Sequence, residues 1–232
     1  DRSQWLLQRA SLVSDNGETI SKEGYHTDGW LPAIVPGTVL YSYIAAGAVP
    51  DITLSDNNQQ VSESFFNSDF WYRAEIQPQK SKGDRHLLIF DGINWKALVY
   101  MNGSYVGRID GAFKQEVFDV TDLVGDKNIV AVRVVKNAHY GAVKEKNSES
   151  PDFNGGALGA DNPTFHASVG WDWIPTVRGR EIGIWNDVHL VRSKDVRLSH
   201  PLVQSHINAD GSAEITATVE LTNLSDKSVS GT

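Results

Sequence analysis

The chain has 232 residues, 40% hydrophobic and 22% charged, which excludes disordered, collagen-like and coiled-coil proteins and predicts a folded domain with a sizeable core. Its formal net charge of −8 argues against nucleic acid and membrane surfaces as partners. The absence of cysteine excludes disulfides, thiolate metal sites and thiol nucleophiles.

One short helix is predicted near the start of the chain. Thr38 is a suitable N-cap for the run 39–44, whose apolar residues share one face at helical spacing. Gly47 marks the end of this run. We expect the helix to cover one end of a β-sandwich.

Residues 87–135 predict a series of short β-strands. Apolar or alternating runs over 87–90, 97–101 and 129–135 are each bounded by Gly, Asn or Asp. Asn102-Gly103 is a pair that tolerates positive φ at both centres of a type I′ turn, so a hairpin is predicted over 97–107. Short, spaced strands without βαβ alternation predict an all-β sandwich.

Periodicity disappears over residues 137–170, and a loop of that size in a compact domain is functional or marks a mis-assigned element. It leads into Trp171-Asp172-Trp173, the densest aromatic cluster of the chain. Indole rings stack on the apolar faces of sugars, and a carboxylate between them can accept hydrogen bonds from two hydroxyls. The alternative is that these tryptophans are core residues beside a turn capped by Asp172. From composition alone this alternative is favoured over sugar binding.

A closing strand is predicted over Ile184-Trp185 and 188–191, and the pattern of apolar and polar residues changes after it. Residues 215–222 alternate apolar and polar side chains, as in a strand with one solvated face. We predict a first domain over residues 1–193 and the start of a second β domain over 194–232, which is too short to bury a core alone. Because the chain starts at Asp1 rather than Met, we expect it to be a piece of a longer polypeptide.

Few residues suggest catalysis from their pattern alone. The chain lacks the Gly-x-Ser-x-Gly and His-Glu-x-x-His motifs, and its histidines are scattered without ligand spacing, so no metal or cofactor is predicted. Arg178 and Arg180 could pair with a ligand or a neighbouring domain, although arginines in such a position more often brace a loop against carboxylates such as Glu181 or Asp187. The carboxylates that could act in acid–base chemistry, or equally serve as loop, cap or surface residues, are Asp152, Asp161, Asp172 and Glu181.

A series of short strings runs through residues 29–185. It comprises Gly29-Trp30-Leu31-Pro32-Ala33, Val35-Pro36-Gly37-Thr38-Val39, Phe70-Trp71-Tyr72-Arg73, Phe90-Asp91-Gly92-Ile93-Asn94, Met101-Asn102-Gly103, Val106-Gly107, Phe118-Asp119-Val120-Thr121, Gly170-Trp171-Asp172-Trp173 and Gly183-Ile184-Trp185. Their joint order and spacing over residues 1–192 resemble the N-terminal part of glycoside hydrolase family 2. The Trp-Asp-Trp-Ile-Pro string is most similar to the β-mannosidase-like branch, which includes exo-β-D-glucosaminidases and mannosylglycoprotein endo-β-mannosidases.

The resemblance implies a fold and a division of labour. The expected fold is all-β, a galactose-binding-like jelly-roll β-sandwich followed by the start of an immunoglobulin-like β-sandwich. A TIM barrel elsewhere in the parent protein would hold the two carboxylates of a retaining β-glycosidase, and the first domain would pack on it. No catalytic residue is therefore assigned to this chain, which alone is expected to hydrolyse nothing.

One role is carried over from the resemblance to residues of this chain. In β-mannosidase-like members the Trp-Asp-Trp loop reaches the barrel pocket, which implies that Asp172, flanked by Trp171 and Trp173, binds hydroxyls of the terminal sugar. Ile174 stands where many β-mannosidases have Gly, which favours glucosaminidase-like or endo-mannosidase-like relatives. The expected partner is a carbohydrate, and polysaccharide-degrading relatives imply a periplasmic or secreted setting.

Two other functions stay open at this point. The chain could be an autonomous carbohydrate-binding module, or a purely structural domain that packs on the catalytic barrel. Sugar affinity in the isolated chain would favour the module. Unaltered enzyme kinetics after a change in the Trp-Asp-Trp loop would favour the structural role.

Overall fold

The computed structural model describes residues 4–76, 84–136, 138, 142–143, 157–158, 177, 179 and 181–231. No helix in these ranges is long and apolar enough to span a membrane. The helices are α1 (Gly17–Ile20), α2 (Val39–Ala45) and α3 (Asn57–Gln60), with 3-10 turns at Ala10–Leu12 and Glu63–Phe65. The strands are β1 (Trp5–Arg9), β2 (Leu31–Ala33), β3 (Phe70–Ile76), β4 (Arg85–Phe90), β5 (Lys96–Met101), β6 (Ser104–Asp110), β7 (Glu116–Asp119), β8 (Asn128–Val135), β9 (Ala142–Val143), β10 (Ala157–Leu158), β11 (Val188–Ser193), β12 (Val196–Ile207) and β13 (Ala213–Asn223).

Two antiparallel sheets pack around one apolar core. The larger sheet has the strand order β2-β1-β3-β8-β5-β6, and the smaller has the order β11-β4-β7. Phe70 and Val132 of the larger sheet and Leu88 and Phe90 of the smaller are fully buried in the same core. The prediction of an all-β fold built from short, spaced strands is confirmed.

The central strand β8 shows why the larger sheet is stable. It lies between β3 and β5, so both of its edges are paired. Its sequence is nearly continuous in apolar residues, and most of its side chains are buried. The apolar run predicted as a strand over 129–135 is therefore a central strand with both faces covered.

The predicted hairpin is also confirmed, as β5 and β6. Asn102 and Gly103 join the strands with φ values of 50° and 84°, which suit a type I′ turn. Asn102 Nδ2 donates to the Leu123 carbonyl at 2.8 Å, and its Oδ1 accepts from Ile129 N at 2.8 Å. The side chain of the turn residue thus ties the hairpin to the connection between β7 and β8.

The predicted helix is confirmed as α2. Thr38 Oγ1 accepts a hydrogen bond from Tyr41 N at 3.1 Å, which satisfies one of the unpaired donors of the first turn. Gly47 follows the helix with a φ of 71°. Leu40 packs into the main core. The short helices α1 and α3 are not predicted by the sequence analysis.

The arginine of the Phe-Trp-Tyr-Arg string has a structural role. Arg73 is buried, and it donates from Nε to the Ile20 carbonyl and from Nη2 to the Lys22 carbonyl, both at 3.0 Å. These carbonyls lie at the C-terminal end of α1, where a short helix leaves acceptors unpaired. The guanidinium therefore fixes α1 against β3.

The last two strands, β12 and β13, pair only with each other. Their register shifts between Ser199 and Leu202. Arg85 Nε of β4 donates to the Leu224 carbonyl at 3.1 Å, which links this hairpin to the sandwich. Every residue of β13 is exposed. The exposed apolar side chains of the pair include Leu198, Val203, Ile207, Ile215, Val219 and Leu221.

Candidate functional site

The predicted sugar-binding residues Trp171, Asp172 and Trp173 lie outside the described residues. The structure describes residues 84–136 before this region and residues 181–231 after it, so it shows how both flanks are held; between them it describes residues 138, 142–143, 157–158, 177 and 179. Asp1, Asp152, Asp161, Gly170, Ile174, Arg178, Arg180 and most of the loop predicted over residues 137–170 also lie outside the described residues.

Residues 181–185, termed the anchor segment, bind to the loop that follows β4. Asn94 N donates to the Gly183 carbonyl at 2.9 Å, and Gly183 N donates back to the Asn94 carbonyl at 3.3 Å. The Asn94 side chain adds a bond from Nδ2 to the Glu181 carbonyl at 3.0 Å. Because Asn94 is buried, these hydrogen bonds are shielded from competition with water.

The anchor segment also binds to the turn that precedes α2. Gly37 N donates to the Ile184 carbonyl and Val39 N to the Ile182 carbonyl, both at 2.8 Å. Ile182 and Ile184 are fully buried in the main core. The anchor segment is therefore held in place by backbone hydrogen bonds to two separate loops and by apolar packing.

Two glycines permit this close packing. Gly183 has a φ of 149°, and a Cβ there would lie 2.7 Å from the Gly37 carbonyl oxygen and 2.9 Å from the Tyr72 hydroxyl. A Cβ at Gly92 would lie 2.5 Å from the indole of Trp185. Neither position leaves room for a side chain, which explains why glycine is found at both positions.

The strand predicted over Ile184-Trp185 is wrong. Trp185 turns its indole toward Ala112, whose carbonyl accepts a hydrogen bond from Nε1 at 2.9 Å. The indole also meets Phe113 edge to face, with ring centroids 6.4 Å apart. Because the anchor segment pairs with a loop through one bridge, the closing strand begins only at Val188.

Three strings of the series thus meet at one place in the fold. Residues 35–39, 90–94 and 183–185 are distant in sequence, yet they share the hydrogen bonds and close contacts of the anchor segment. The anchor segment follows the Trp171-Asp172-Trp173 cluster closely in the chain. The arrangement therefore fixes the position of the chain shortly after that cluster in the sequence.

The upstream flank is held by a carboxylate. Asp69 Oδ2 accepts from Arg133 Nε at 2.9 Å, and its Oδ1 accepts from the backbone N of Lys136 at 3.0 Å. The Lys136 ammonium donates to Asn67 Oδ1 at 2.9 Å. Charge-assisted bonds therefore fasten the end of β8 to the residues before β3.

A cavity of about 350 Å³ lies beside the anchor segment and is termed the α2 cavity. Its volume falls at the lower end of the range of small-ligand pockets. Most of its lining is apolar, and it is open to solvent on one side. The lining residues are Thr38, Leu40, Tyr41, Ile44, Asp51, Ile52, Thr53, Val177 and Glu181.

Two carboxylates give the α2 cavity its charge. Glu181 Oε2 is buried, and no described residue donates a hydrogen bond to it. This burial raises the pKa of Glu181 above its ordinary value. Asp51 Oδ1 accepts from the backbone N of Thr53 at 2.9 Å and from its hydroxyl at 2.8 Å, which lowers the pKa of Asp51. Asp51 is thereby favoured in its charged form.

Glu181 is a candidate carboxylate from the sequence, but nothing in the sequence places it beside the same cavity as Asp51. The two residues are separated by most of the first domain, and both positions carry ordinary loop signals. An Asx-turn pattern, Asp51 followed by Thr53, is the one local sign that this carboxylate is held in place.

A second polar cluster lies on the smaller sheet. His189 Nε2 and Asp91 Oδ2 are 2.9 Å apart, and Gln115 Nε2 donates to Asp91 Oδ1 at 2.6 Å. Within the described part of the chain, no group of three or more His, Asp or Glu side chains could hold a metal ion. The cluster cross-links β11 to the loop after β4.

A family profile matches most of the chain. Residues 11–186 match the family described as glycosyl hydrolase 2 galactose-binding domain-like. A mannosylglycoprotein endo-β-mannosidase of Lilium longiflorum is 32% identical over 96% of this chain and 24% of its own length. An exo-β-D-glucosaminidase of Amycolatopsis orientalis is 29% identical over 98% of this chain and 20% of its own length.

Solved structures have the same fold. The exo-chitosanase of Amycolatopsis orientalis superposes with a TM-score of 0.76 at 27% identity, over 97% of this chain and 24% of that one. A β-D-mannosidase from Dictyoglomus thermophilum has a TM-score of 0.65 at 24% identity, over 95% of this chain and 25% of its own, and supports the fold alone. The chain spans about a quarter of the length of the relatives it matches.

Proposed function

The chain belongs to the glycosyl hydrolase 2 galactose-binding domain-like family, and we propose that it is the N-terminal, non-catalytic portion of a β-glycosidase that hydrolyses O-glycosyl bonds. The catalytic carboxylates would lie in the larger remainder of the parent protein, in a barrel on which this domain packs. The similarity to longer glycosidases supports this division, because the chain spans only about a quarter of their length.

The proposed contribution of this chain to catalysis is to shape the substrate pocket. Asp172 would accept hydrogen bonds from hydroxyls of the terminal sugar, while Trp171 and Trp173 would present flat apolar surfaces to it. The observation that carries this proposal is the anchor segment. The hydrogen bonds of this segment fix the backbone shortly after the Trp-Asp-Trp cluster. Such support is expected for a binding loop that must hold its side chains in one position.

The names of the relatives support a substrate class. An endo-β-mannosidase and an exo-β-D-glucosaminidase both act on β-linked hexose units, one neutral and one with an amino group. We propose a β-linked mannose- or glucosamine-type sugar as the substrate of the parent enzyme. A periplasmic or secreted setting, where such polymers are degraded, belongs to the same proposal.

Residues 194–232 are proposed to begin an immunoglobulin-like domain. The hairpin of β12 and β13 carries a continuous apolar face that is exposed, with Leu198 opposite Leu221 and Val203 opposite Ala217. An isolated two-stranded sheet is marginally stable in water, so further strands are needed to cover this face. Those strands would come from the remainder of the parent protein.

The proposal is tested by Asp172→Ala in the full-length parent enzyme. Losing hydrogen bonds to a charged acceptor costs about 1.5–3 kcal/mol, so kcat/KM on a β-mannoside or β-glucosaminide is expected to fall by roughly tenfold to a hundredfold. Asp126→Ala, at an exposed position in the turn before β8, is the matched control and should leave kcat/KM unchanged.

The same variant separates the other two functions. An unchanged kcat/KM in Asp172→Ala would contradict the proposal and leave a purely structural domain. Isothermal titration of the 232-residue chain with mannose, glucosamine and their oligosaccharides tests the remaining alternative. Binding at millimolar or lower concentration that Asp172→Ala abolishes would identify an autonomous carbohydrate-binding module.

A further inference from the structure

Three connections of the chain meet at one end of the smaller sheet. Strand β4 runs antiparallel to both β7 and β11, so the loop after β4, the loop 111–115 before β7 and the anchor segment before β11 lie at the same end. Gly111 N donates to the Trp95 carbonyl at 2.9 Å, and the Ala112 carbonyl accepts from Trp185 Nε1. The three connections therefore hold one another in place.

The loop 111–115 exposes an aromatic ring to solvent. Phe113 is 63% exposed, although Ala112 beside it is buried and Gln115 Nε2 donates to Asp91 Oδ1 at 2.6 Å. Contacts on both sides of Phe113 thus fix the loop while the ring stays accessible. An aromatic side chain held in this way can bind a partner at a low cost in conformational entropy.

Polar side chains that can bind hydroxyl groups lie at the same end of the sheet as this ring. Gln115 is exposed, and the side chains of Asp91 and His189 are 24% and 49% exposed. The Asp91 carboxylate accepts from Gln115 and lies 2.9 Å from His189 Nε2, so it links the other two side chains. Together the amide, carboxylate and imidazole groups include both donors and acceptors of hydrogen bonds.

This combination fits a sugar ring better than a protein surface. A sugar has an apolar face that stacks on an aromatic ring, and its hydroxyl groups bind polar side chains around that ring. The core of a protein–protein interface is depleted of charged residues, whereas Phe113 is followed by Lys114, which forms an ion pair with Glu116. An apolar protein surface would have to desolvate these charges, while sugar hydroxyls can hydrogen-bond with them.

We propose that Phe113 stacks against a sugar ring of a β-linked oligosaccharide whose hydroxyl groups hydrogen-bond with Asp91, Gln115 and His189. The inference rests on the proposed function, because that function supplies the class of sugar. It assigns to this end of the smaller sheet a second sugar contact, separate from the proposed contact of Asp172 with the terminal sugar.

The first test is a chemical-shift titration of the 232-residue chain with a tetrasaccharide of β-linked mannose and with one of β-linked glucosamine. Saturable shifts are expected at the amides of Ala112, Gln115 and His189 with at least one of the two sugars. Phe113→Ala should raise the Kd at least about fivefold, and Phe113→Trp should keep it near the wild-type value. Tyr105→Ala, which removes a 50% exposed ring from β6, is the matched control and should leave the Kd unchanged.

The polar side chains are tested in the same titration. Gln115→Ala keeps the aromatic ring and removes one hydrogen-bonding group, so it is expected to raise the Kd by roughly twofold to tenfold. An unchanged Kd in this variant would mean that the sugar hydroxyls are not recognised as proposed. The absence of saturable shifts with both tetrasaccharides, or a Kd that Phe113→Ala leaves unchanged, would overturn the whole proposal.

The second test measures kinetics in the full-length parent enzyme, on whichever tetrasaccharide it hydrolyses. Phe113 is proposed to contact the substrate away from the reacting bond, so Phe113→Ala should raise KM at least about fivefold with kcat nearly unchanged. A fall in kcat without a change in KM would contradict a binding role for the ring.

Asp172→Ala separates this proposal from the proposed function. Sugar binding at Phe113 should persist in the Asp172→Ala form of the 232-residue chain, whereas binding through the Trp-Asp-Trp loop would be lost. Conversely, a Kd that Phe113→Ala leaves unchanged would reject the site at Phe113 and would not affect the role proposed for Asp172. Each of the two proposals can therefore be rejected without the other.

Discussion

Strands β8 and β13 show how differently the two parts of the chain use similar β-structure. Both are long antiparallel strands rich in apolar residues, but β8 is largely buried while every residue of β13 is exposed. The difference lies outside the strands. β8 has a neighbour on each edge and a second sheet across the core, whereas β13 has β12 alone.

Pairing alone therefore does not stabilise the hairpin of β12 and β13. Backbone hydrogen bonds replace bonds to water, so each contributes only about 1 kcal/mol net. The larger favourable contribution comes from apolar area removed from water, about 25 cal/mol per Å². The sandwich gains this contribution within the chain, and the hairpin would gain it only from an added layer.

Leucine-to-alanine substitutions provide the strongest test of this difference. Leu88 of β4 is fully buried and Leu221 of β13 is 67% exposed. In the 232-residue chain, Leu88→Ala is expected to lower the free energy of unfolding by about 2–5 kcal/mol through lost burial and a new cavity. Leu221→Ala should change it by less than about 0.5 kcal/mol. Urea denaturation followed by tryptophan fluorescence measures both.

The same pair should behave differently in the full-length parent. If further strands cover β13, Leu221→Ala becomes a core substitution there, with an expected cost of about 2 kcal/mol or more. A negligible effect of Leu221→Ala in both proteins would mean that the apolar face stays open. That result would contradict the proposed second domain.

Two glycine substitutions also compare the sandwich with the hairpin of β12 and β13. Gly183 and Gly211 both have positive φ, 149° and 84°, but a Cβ meets three atoms within 2.9 Å at Gly183 and nothing within 4 Å at Gly211. Gly183→Ala combines overpacking with backbone strain, so we expect a loss of about 2–4 kcal/mol. Gly211→Ala adds strain alone, about 1 kcal/mol.

Thermal unfolding of the two glycine variants, followed by circular dichroism, measures this difference. A similar shift in the unfolding midpoint for both would show that the anchor segment relaxes around a methyl group. The tight contact with Gly37 and Tyr72 would then not be essential to the fold.

Local signals in the sequence predict the elements whose causes are local. The type I′ turn at Asn102-Gly103 needs positive φ at two adjacent residues, and α2 needs the Thr38 cap, so both are recognisable from a few residues. The short helix α1 escapes prediction because it depends on Arg73, far along the chain, to satisfy its last carbonyls.

The contacts of the anchor segment could not be predicted from local sequence. Asn94, Gly92 and Gly183 are recognisable as parts of strings, but no signal near them indicates that the two distant strings are in contact. The strand prediction at Ile184-Trp185 is wrong for the same reason. The apolar pattern is that of a strand, but the orientation of the indole depends on a hydrogen bond to the carbonyl of Ala112, which is distant in the sequence.

The smallest effect expected concerns the pH dependence of stability at Glu181. Burial raises the pKa of this carboxyl in the folded chain, so the folded state holds the proton more tightly than the unfolded state. Between the two pKa values the folded state binds more protons, and the free energy of unfolding falls as the pH rises. The contribution is favourable below the ordinary pKa of Glu and is lost as the pH passes the raised one.

Glu181→Gln removes this contribution because the amide is neutral at every pH. In the 232-residue chain, the variant is expected to gain stability relative to the wild type as the pH rises from about 4 to about 8. Glu214→Gln in the exposed hairpin is the control for loss of a negative charge alone. A parallel pH profile for Glu181→Gln and the wild type would contradict a raised pKa at Glu181.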